Sequence, residues 1–267
     1  MGVRLGAWPG MVAWRLGGIA VLLVIWAALA TRLSAAQLPR PELVWDALTA
    51  NFSSSPALEF AGVQGGYFSN VLYTLTTATV AAAVGGLSGF AVGVASARSQ
   101  LLRDLASPLL VLFAAVPPLV AGPFMLIWFG PGQLAQSTIV AFFCFVVIGV
   151  SAQNAASSLS PAFEEFAATL GASRRDRLRH IVIPASIPPL IVSVRLCLCT
   201  AWSLQAAAEL LGSDRGVGRV VGMAQQLGDT ASTLAVILLL GVGGLVIETL
   251  ITGALTHATR WQSGQRR

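Results

Sequence analysis

The side chains able to do chemistry are few, and their types are selective. All 16 basic residues are arginines, so the chain contains no lysine. A phosphate-cradling G-x-x-x-x-G-K-[ST] loop is therefore impossible, and nucleotide binding by that route is excluded. Schiff-base catalysis, which needs a lysine amine, is excluded with it. Cys144, Cys197 and Cys199 lie in apolar stretches without a C-x-x-C pair or a histidine cluster. They read as small packing residues, so neither a metal site, a disulfide nor a cofactor is expected. His180 and His257 sit at the edges of apolar segments, which leaves no nucleophile and base together at membrane depth and argues against an intramembrane enzyme.

Three ionisable residues remain in or beside apolar runs: Arg195, Glu209 and Glu248. Charges in such surroundings are candidates for a solute path. The bland reading of Arg195 is a side chain snorkelling to the cytoplasmic boundary, and that of Glu248 a hydrogen-bonding residue inside the bundle. Glu209 precedes Gly212, Gly216 and Gly218, a stretch that reads as flexible and suits a gate hinge as well as an ordinary interfacial loop. Arg195, Glu209, Gly216 and Gly218 are thus the candidates for a translocation path.

The elements that must carry these residues follow from composition. Of the 267 residues 55% are hydrophobic and 10% charged, with mean hydropathy +0.77; a soluble domain carries about a quarter charged residues. A span needs about 20 apolar residues, so the length accommodates about six, and the fold expected is an all-α, polytopic membrane helix bundle of about six transmembrane helices. The runs at 11–31, 70–96, 105–129, 137–151, 190–211 and 234–255 supply them. Ala28-Leu29-Ala30 resembles a cleavage site, but nothing soluble follows it, so the first run is expected to be retained. Residues 37–66 read as a turn-rich extracytoplasmic loop with a short helix at 42–48. In the second run Gly85, Gly89 and Gly93 recur every fourth residue, a smooth face for close helix packing. Pro117-Pro118 and Pro123 require the third run to be kinked or broken. Eleven arginines fall on the inner side of this topology and four (32, 40, 215 and 219) on the outer, which places both termini in the cytoplasm of a cell-membrane protein.

The longest polar interruption holds SPAFEEFAATLGASRRDRLRHIVIP, residues 160–184. It predicts two short helices outside the lipid. Ser160 can cap the first, with Pro161 opening it and Glu164 and Glu165 near its positive pole, and Gly171 stops it. Ser173 and Asp176 have capping-box spacing for the second, which is expected to end at His180, before Pro184. Phe163, Phe166, Ala167 and Leu170 fall on one side of the first helix, an apolar face suited to a soluble partner or, aided by the arginines, to anionic lipid.

Glu165-Phe166-Ala167, Gly171, Ile181 and Pro184 follow the spacing E-A-A, three residues, G, nine residues, I-x-L-P. On these residues the chain resembles the permeases of ABC importers, departing at Phe166 and at Ile183, both still apolar. QLPRP near residue 38, VPPLVAGPFMLIWFGPG from Val116 and AAELLGSDRGVG from Ala207 are similar to segments of the nitrate/sulfonate/taurine group. The resemblance implies a type I ABC importer-like fold, with a coupling helix that docks on a separate cytoplasmic ATPase. Carried over, Glu164, Glu165, Phe166, Ala167, Leu170, Gly171, Ala172, Ile181 and Pro184 would form that ATPase-coupling surface.

It further implies two ATPase copies, a second permease subunit making a homodimer, an extracytoplasmic substrate-binding protein and the lipid bilayer as partners, with no nucleic acid. The layout is then a tail and first span at 1–36, an outer loop at 37–69, a permease core at 70–257 with its coupling loop at 152–189, and a tail at 258–267. Such a chain is non-catalytic, ATP hydrolysis residing on the partner, and passes a small anionic solute of nitrate, sulfonate or taurine type. The competing reading is an ATP-independent secondary transporter or channel, which would be expected to show inverted repeats or several buried charges.

Overall fold

The structure, a computed structural model, describes residues 8–258, with side chains described over 17–254. The expectations for Arg4, the Arg15 side chain, His257, Arg260, Arg266, Arg267 and both chain ends lie outside these residues. In chain order the helices are α1 (Trp8–Ala30), α2 (Pro41–Ala50), α3 (Pro56–Phe60), α4 (Tyr67–Arg98), α5 (Gln100–Ala115), α6 (Gly122–Phe129), α7 (Gln133–Ser157), α8 (Pro161–Thr169), α9 (Arg174–Arg177), α10 (Ile183–Glu209), α11 (Val217–Gln226) and α12 (Thr230–Ala258). No strand occurs among the described residues, and the fold is all-α.

Among the described residues two compact units are present, 8–68 with 220–239 and 69–219 with 240–258. In the first, proline opens both α2 and α3, where its missing N–H costs no intrahelical bond, and Ser55 accepts from the Leu58 N–H to cap α3. The loop read at 37–66 thus holds two short helices, one more than its sequence predicts. Trp26 donates its indole N–H to the Pro39 carbonyl at 3.0 Å, and the Thr230 hydroxyl bonds the Ala36 carbonyl at 3.0 Å.

In the second unit α7 is central. Its residues Gln136, Val140, Cys144, Ile148, Ala152 and Ala156 recur at a period of four and are all buried. Cys144 and Cys197 lie together in one apolar cluster with Ala81, Ala82, Val140, Ile148 and Ala201, so the cysteines are core residues. The glycine stripe of α4 rides on α7. A Cβ on Gly85, Gly89 or Gly93 would come within 2.0, 2.3 or 2.4 Å of the carbonyl oxygens of Ala141, Phe145 or Gly149, a backbone contact that only glycine permits. On the α12 side, Trp202 donates to the Leu240 carbonyl at 3.0 Å and its ring occupies the space beside Gly243.

Among the described residues four helices are long and apolar enough to cross a bilayer: Tyr67–Arg98, Gln133–Ser157, Arg174–Glu209 and Thr230–Ala254. The pair Gln100–Ala115 and Pro118–Phe129, apolar enough together but meeting at 94°, has the form of a broken span or of a re-entrant loop. Val116 and Pro117 each precede a proline and are both extended, so the helix cannot run through them. Helix α1 is apolar from Gly17 to Ala30.

The largest departure from expectation lies after Arg177. The second elbow helix does not end before Pro184; it continues through a π-helical turn, Leu178–Val182, straight into α10. Pro184 has no N–H to give and its ring crowds the carbonyl four residues back. The wider turn, in which the Ile183 N–H reaches the Leu178 carbonyl, absorbs the proline without breaking the helix.

Candidate functional site

The elbow of α8 and α9 is built by its punctuation. Ser160 is the residue before α8 and Pro161 opens it, but the Ser160 hydroxyl makes no capping bond, so the proline and its fixed backbone angle start the helix without the expected cap. At the other end Gly171 adopts φ +84°; its N–H bonds the Ala168 carbonyl at 3.0 Å and the Ala172 N–H the Ala167 carbonyl at 3.0 Å. This paired closure satisfies the last carbonyls and needs a left-handed residue at Gly171. Ser173 then accepts from the Asp176 N–H at 3.2 Å and bonds the Asp176 carboxylate at 2.5 Å, opening α9 as the spacing predicts.

Side chains divide the elbow into two faces. Phe163, Phe166 and Leu170 are 64%, 67% and 73% exposed, and Glu165 is exposed beside them. Glu164 points the other way. It pairs with Arg98 at 2.6 Å, and Arg98 also donates to the Ala156 carbonyl at 3.0 Å, so one guanidinium joins the ends of α4 and α7 to α8. The Glu164 carbonyl in turn accepts from Arg177 at 3.4 Å. Glu164 therefore fastens the elbow from behind, a role its place in the motif does not reveal. Ile181 lines a small apolar recess of about 160 Å³ with Leu159, Phe163 and Ala185, while Pro184 is exposed.

At the far end of α10 a second constellation forms. Glu209 is fully buried and accepts from the Thr74 hydroxyl at 2.9 Å, the Gly218 N–H at 3.0 Å and the Gln205 amide at 3.2 Å. Asn70 accepts the Gly216 N–H at 2.8 Å and Thr74 the Val217 N–H at 2.9 Å. Side chains of α4 and α10 thereby satisfy the free amides that begin α11. Gly216 (φ +99°) and Gly218 pack so closely that an added Cβ would lie 2.3 Å from the Glu209 carboxylate or 2.0 Å from the Ala206 carbonyl. The stretch read as flexible is therefore tightly clamped, because its glycines serve contact as well as bending. Asn70 and Thr74 had gone unremarked; polar pairs four residues apart in apolar helices, Asn70/Thr74 and Gln205/Glu209, are the signal that finds them.

Arg195 stands apart from this clamp, about 21 Å along α10 from Glu209 at 1.5 Å per residue. It forms an ion pair with Glu248 of α12. Glu248 in turn is not interior, its side chain being 45% exposed. Opposite charges at similar depth neutralise each other at lower cost than either would bear alone.

A family model described as "Binding-protein-dependent transport system inner membrane component" matches residues 85–257. Over 262 residues the chain is 30% identical to the taurine transport system permease protein TauC of Escherichia coli (strain K12), with 95% of this chain and 92% of that protein covered. It is 26% identical to the putative aliphatic sulfonates transport permease protein SsuC of Bacillus subtilis (strain 168), covering 91% and 86%. With the nitrate import permease protein NrtB of Synechococcus elongatus identity is 23%, covering 86% and 84%. In three dimensions a chain of the MetNI methionine ABC transporter, in an inward-facing conformation, aligns with a TM-score of 0.59 at 22% identity, over 72% of this chain and 93% of that one.

Proposed function

Since the chain belongs to the family of binding-protein-dependent transport inner-membrane components, as an ABC importer permease of the nitrate/sulfonate/taurine group, we propose that its α8–α9 elbow is the surface on which a separate ABC ATPase drives transport. The observation that carries this reading is the elbow's two-faced construction: an exposed face of Phe163, Phe166 and Leu170 held from behind by the Arg98–Glu164 pair. Buried aromatic anchors surrounded by polar groups are how a soluble partner gains purchase. Glu165, Ala167, Gly171, Ala172, Ile181 and Pro184 complete the surface or its shape.

Transmission follows from the unbroken helix. Arg174–Glu209 is one span of 36 residues, about 54 Å at 1.5 Å per residue. A pull on the elbow reaches the Glu209 clamp along a single rod, and reaches α4 through Arg98. Movements of this kind are rigid-body switching steps and need no catalytic residue in this chain. In this reading two copies enclose the path within the core at 70–257, two ATPases engage loops 152–189, a binding protein delivers solute from outside, and both termini face the cytoplasm of the cell membrane. The solute is a small molecule bearing an anionic oxyanion group, the feature shared by taurine, aliphatic sulfonates and nitrate, named for three relatives.

Phe166→Glu tests the surface. The variant is expected to reach the membrane at wild-type level while losing copurification with the ATPase and ATP-dependent uptake. Copurification at wild-type yield would overturn the assignment of this face.

A further inference from the structure

The Arg195–Glu248 pair is unexplained by anything above. Arg195 lies 12 residues from the start of α10 and 14 from its end, about 18 and 21 Å at 1.5 Å per residue, near the middle of that helix. Glu248 lies 18 residues into the 29 of α12. The two side chains are 46% and 45% exposed, flanked by Val192, Leu196 and Leu245, which are themselves exposed. Against lipid tails a half-exposed ion pair within an apolar span is costly. A water-filled passage removes that cost. The guanidinium offers five N–H donors in a planar fork, and Glu248 is its one partner among the described residues. The remaining donors match the oxygens of a sulfonate or nitrate, which the fork holds in bidentate fashion.

Resting on the importer reading above, we propose that Arg195 is the anion-recognition residue of the translocation path, and that Glu248 occupies it until a small oxyanion displaces the carboxylate. The displaced carboxylate stays beside the bound anion and repels it. The site is therefore built to hold its solute weakly and release it, as conduction through a path requires.

The test uses the whole transporter, permease with its ATPase and binding protein, in proteoliposomes offered taurine, an alkanesulfonate and nitrate in turn. Arg195→Gln combined with Glu248→Gln removes both charges together and leaves no lone buried ion, so the complex is expected to assemble with the ATPase. Uptake of the transported anion should fall at least tenfold. Glu248→Gln alone should lower the half-saturating anion concentration several-fold, because the competing carboxylate is gone; a purely structural pair predicts no such fall. In a Cys144→Ala, Cys197→Ala, Cys199→Ala background, Leu196→Cys should react with a membrane-impermeant thiol reagent and be protected by the transported anion. Wild-type uptake by the double variant, or a Leu196→Cys that stays unlabelled from both sides because lipid or a second copy covers it, would overturn the inference while leaving the importer reading intact. Failure of the wild-type complex to take up any of the three anions would overturn both the anionic reading and this site.

Discussion

The two ends of the helical rod from Arg174 to Glu209 are built on opposite principles. At the elbow, apolar side chains are left in the open and the polar ones hold the piece from behind: Phe163, Phe166 and Leu170 outward, Glu164 on Arg98 inward. At the clamp the polar groups are buried and the space is full, with Glu209, Thr74 and Gln205 all fully enclosed. Unpaired, such groups destabilise the fold; the Glu209 carboxylate meets three donors, while the Gln205 carbonyl oxygen is left without a partner. The elbow leaves an apolar face uncovered within the chain. The Glu209 carboxylate of the clamp takes all three of its donors from within the chain. The contrast separates changes that disconnect the protein from changes that unfold it.

That separation is open to direct attack. The largest effect is expected at the clamp from Gly218→Ala, whose Cβ would meet the Ala206 carbonyl at 2.0 Å and the Glu209 Cβ at 2.7 Å. Overpacking against backbone costs about 3 kcal/mol or more, so detergent-solubilised protein should melt well below wild type or fail to accumulate. Glu209→Ala should follow, at roughly 2–4 kcal/mol for three donors left without an acceptor. Glu209→Gln keeps two of the acceptor positions and should recover about half of that loss; a thermal-shift series on the three proteins measures both.

At the elbow the same measurement should move little. Arg98→Ala removes a partly exposed pair worth about 1 kcal/mol, but it frees α8 from α4 and α7, so ATP-dependent uptake should fall further than the melting temperature implies. Gly171→Ala is expected to be comparably mild in stability: an added methyl touches nothing within 4 Å, leaving only the left-handed backbone penalty of about 1–2 kcal/mol. Its readout is yield of copurified ATPase, expected to drop several-fold. A melting temperature that falls as far for Gly171→Ala as for Gly218→Ala would erase the contrast between the two ends.

Legibility followed the range of the interactions. Gly171, Pro161 and the Ser173–Asp176 start act within a few residues, so the elbow's helices stand in the sequence almost as they stand in space. The proline rule misled at Pro184, where a π turn keeps the helix going. The glycine stripe announced a close neighbour without saying which; α7 supplies it. The clamp was half visible, because Glu209 meets Thr74 across 135 positions and no local pattern links them.

The sequence by itself determined the membrane environment and the helical class, since bilayer thickness and backbone hydrogen bonding leave an apolar chain few alternatives. Tertiary structure alone decided that Glu164 fastens while Phe166 faces outward, that Glu209 is enclosed, and that Arg195 finds Glu248. The physical reason is distance along the chain: a side chain's partner, and hence its exposure, is set by which helices pack together, and hydropathy carries no record of that pairing.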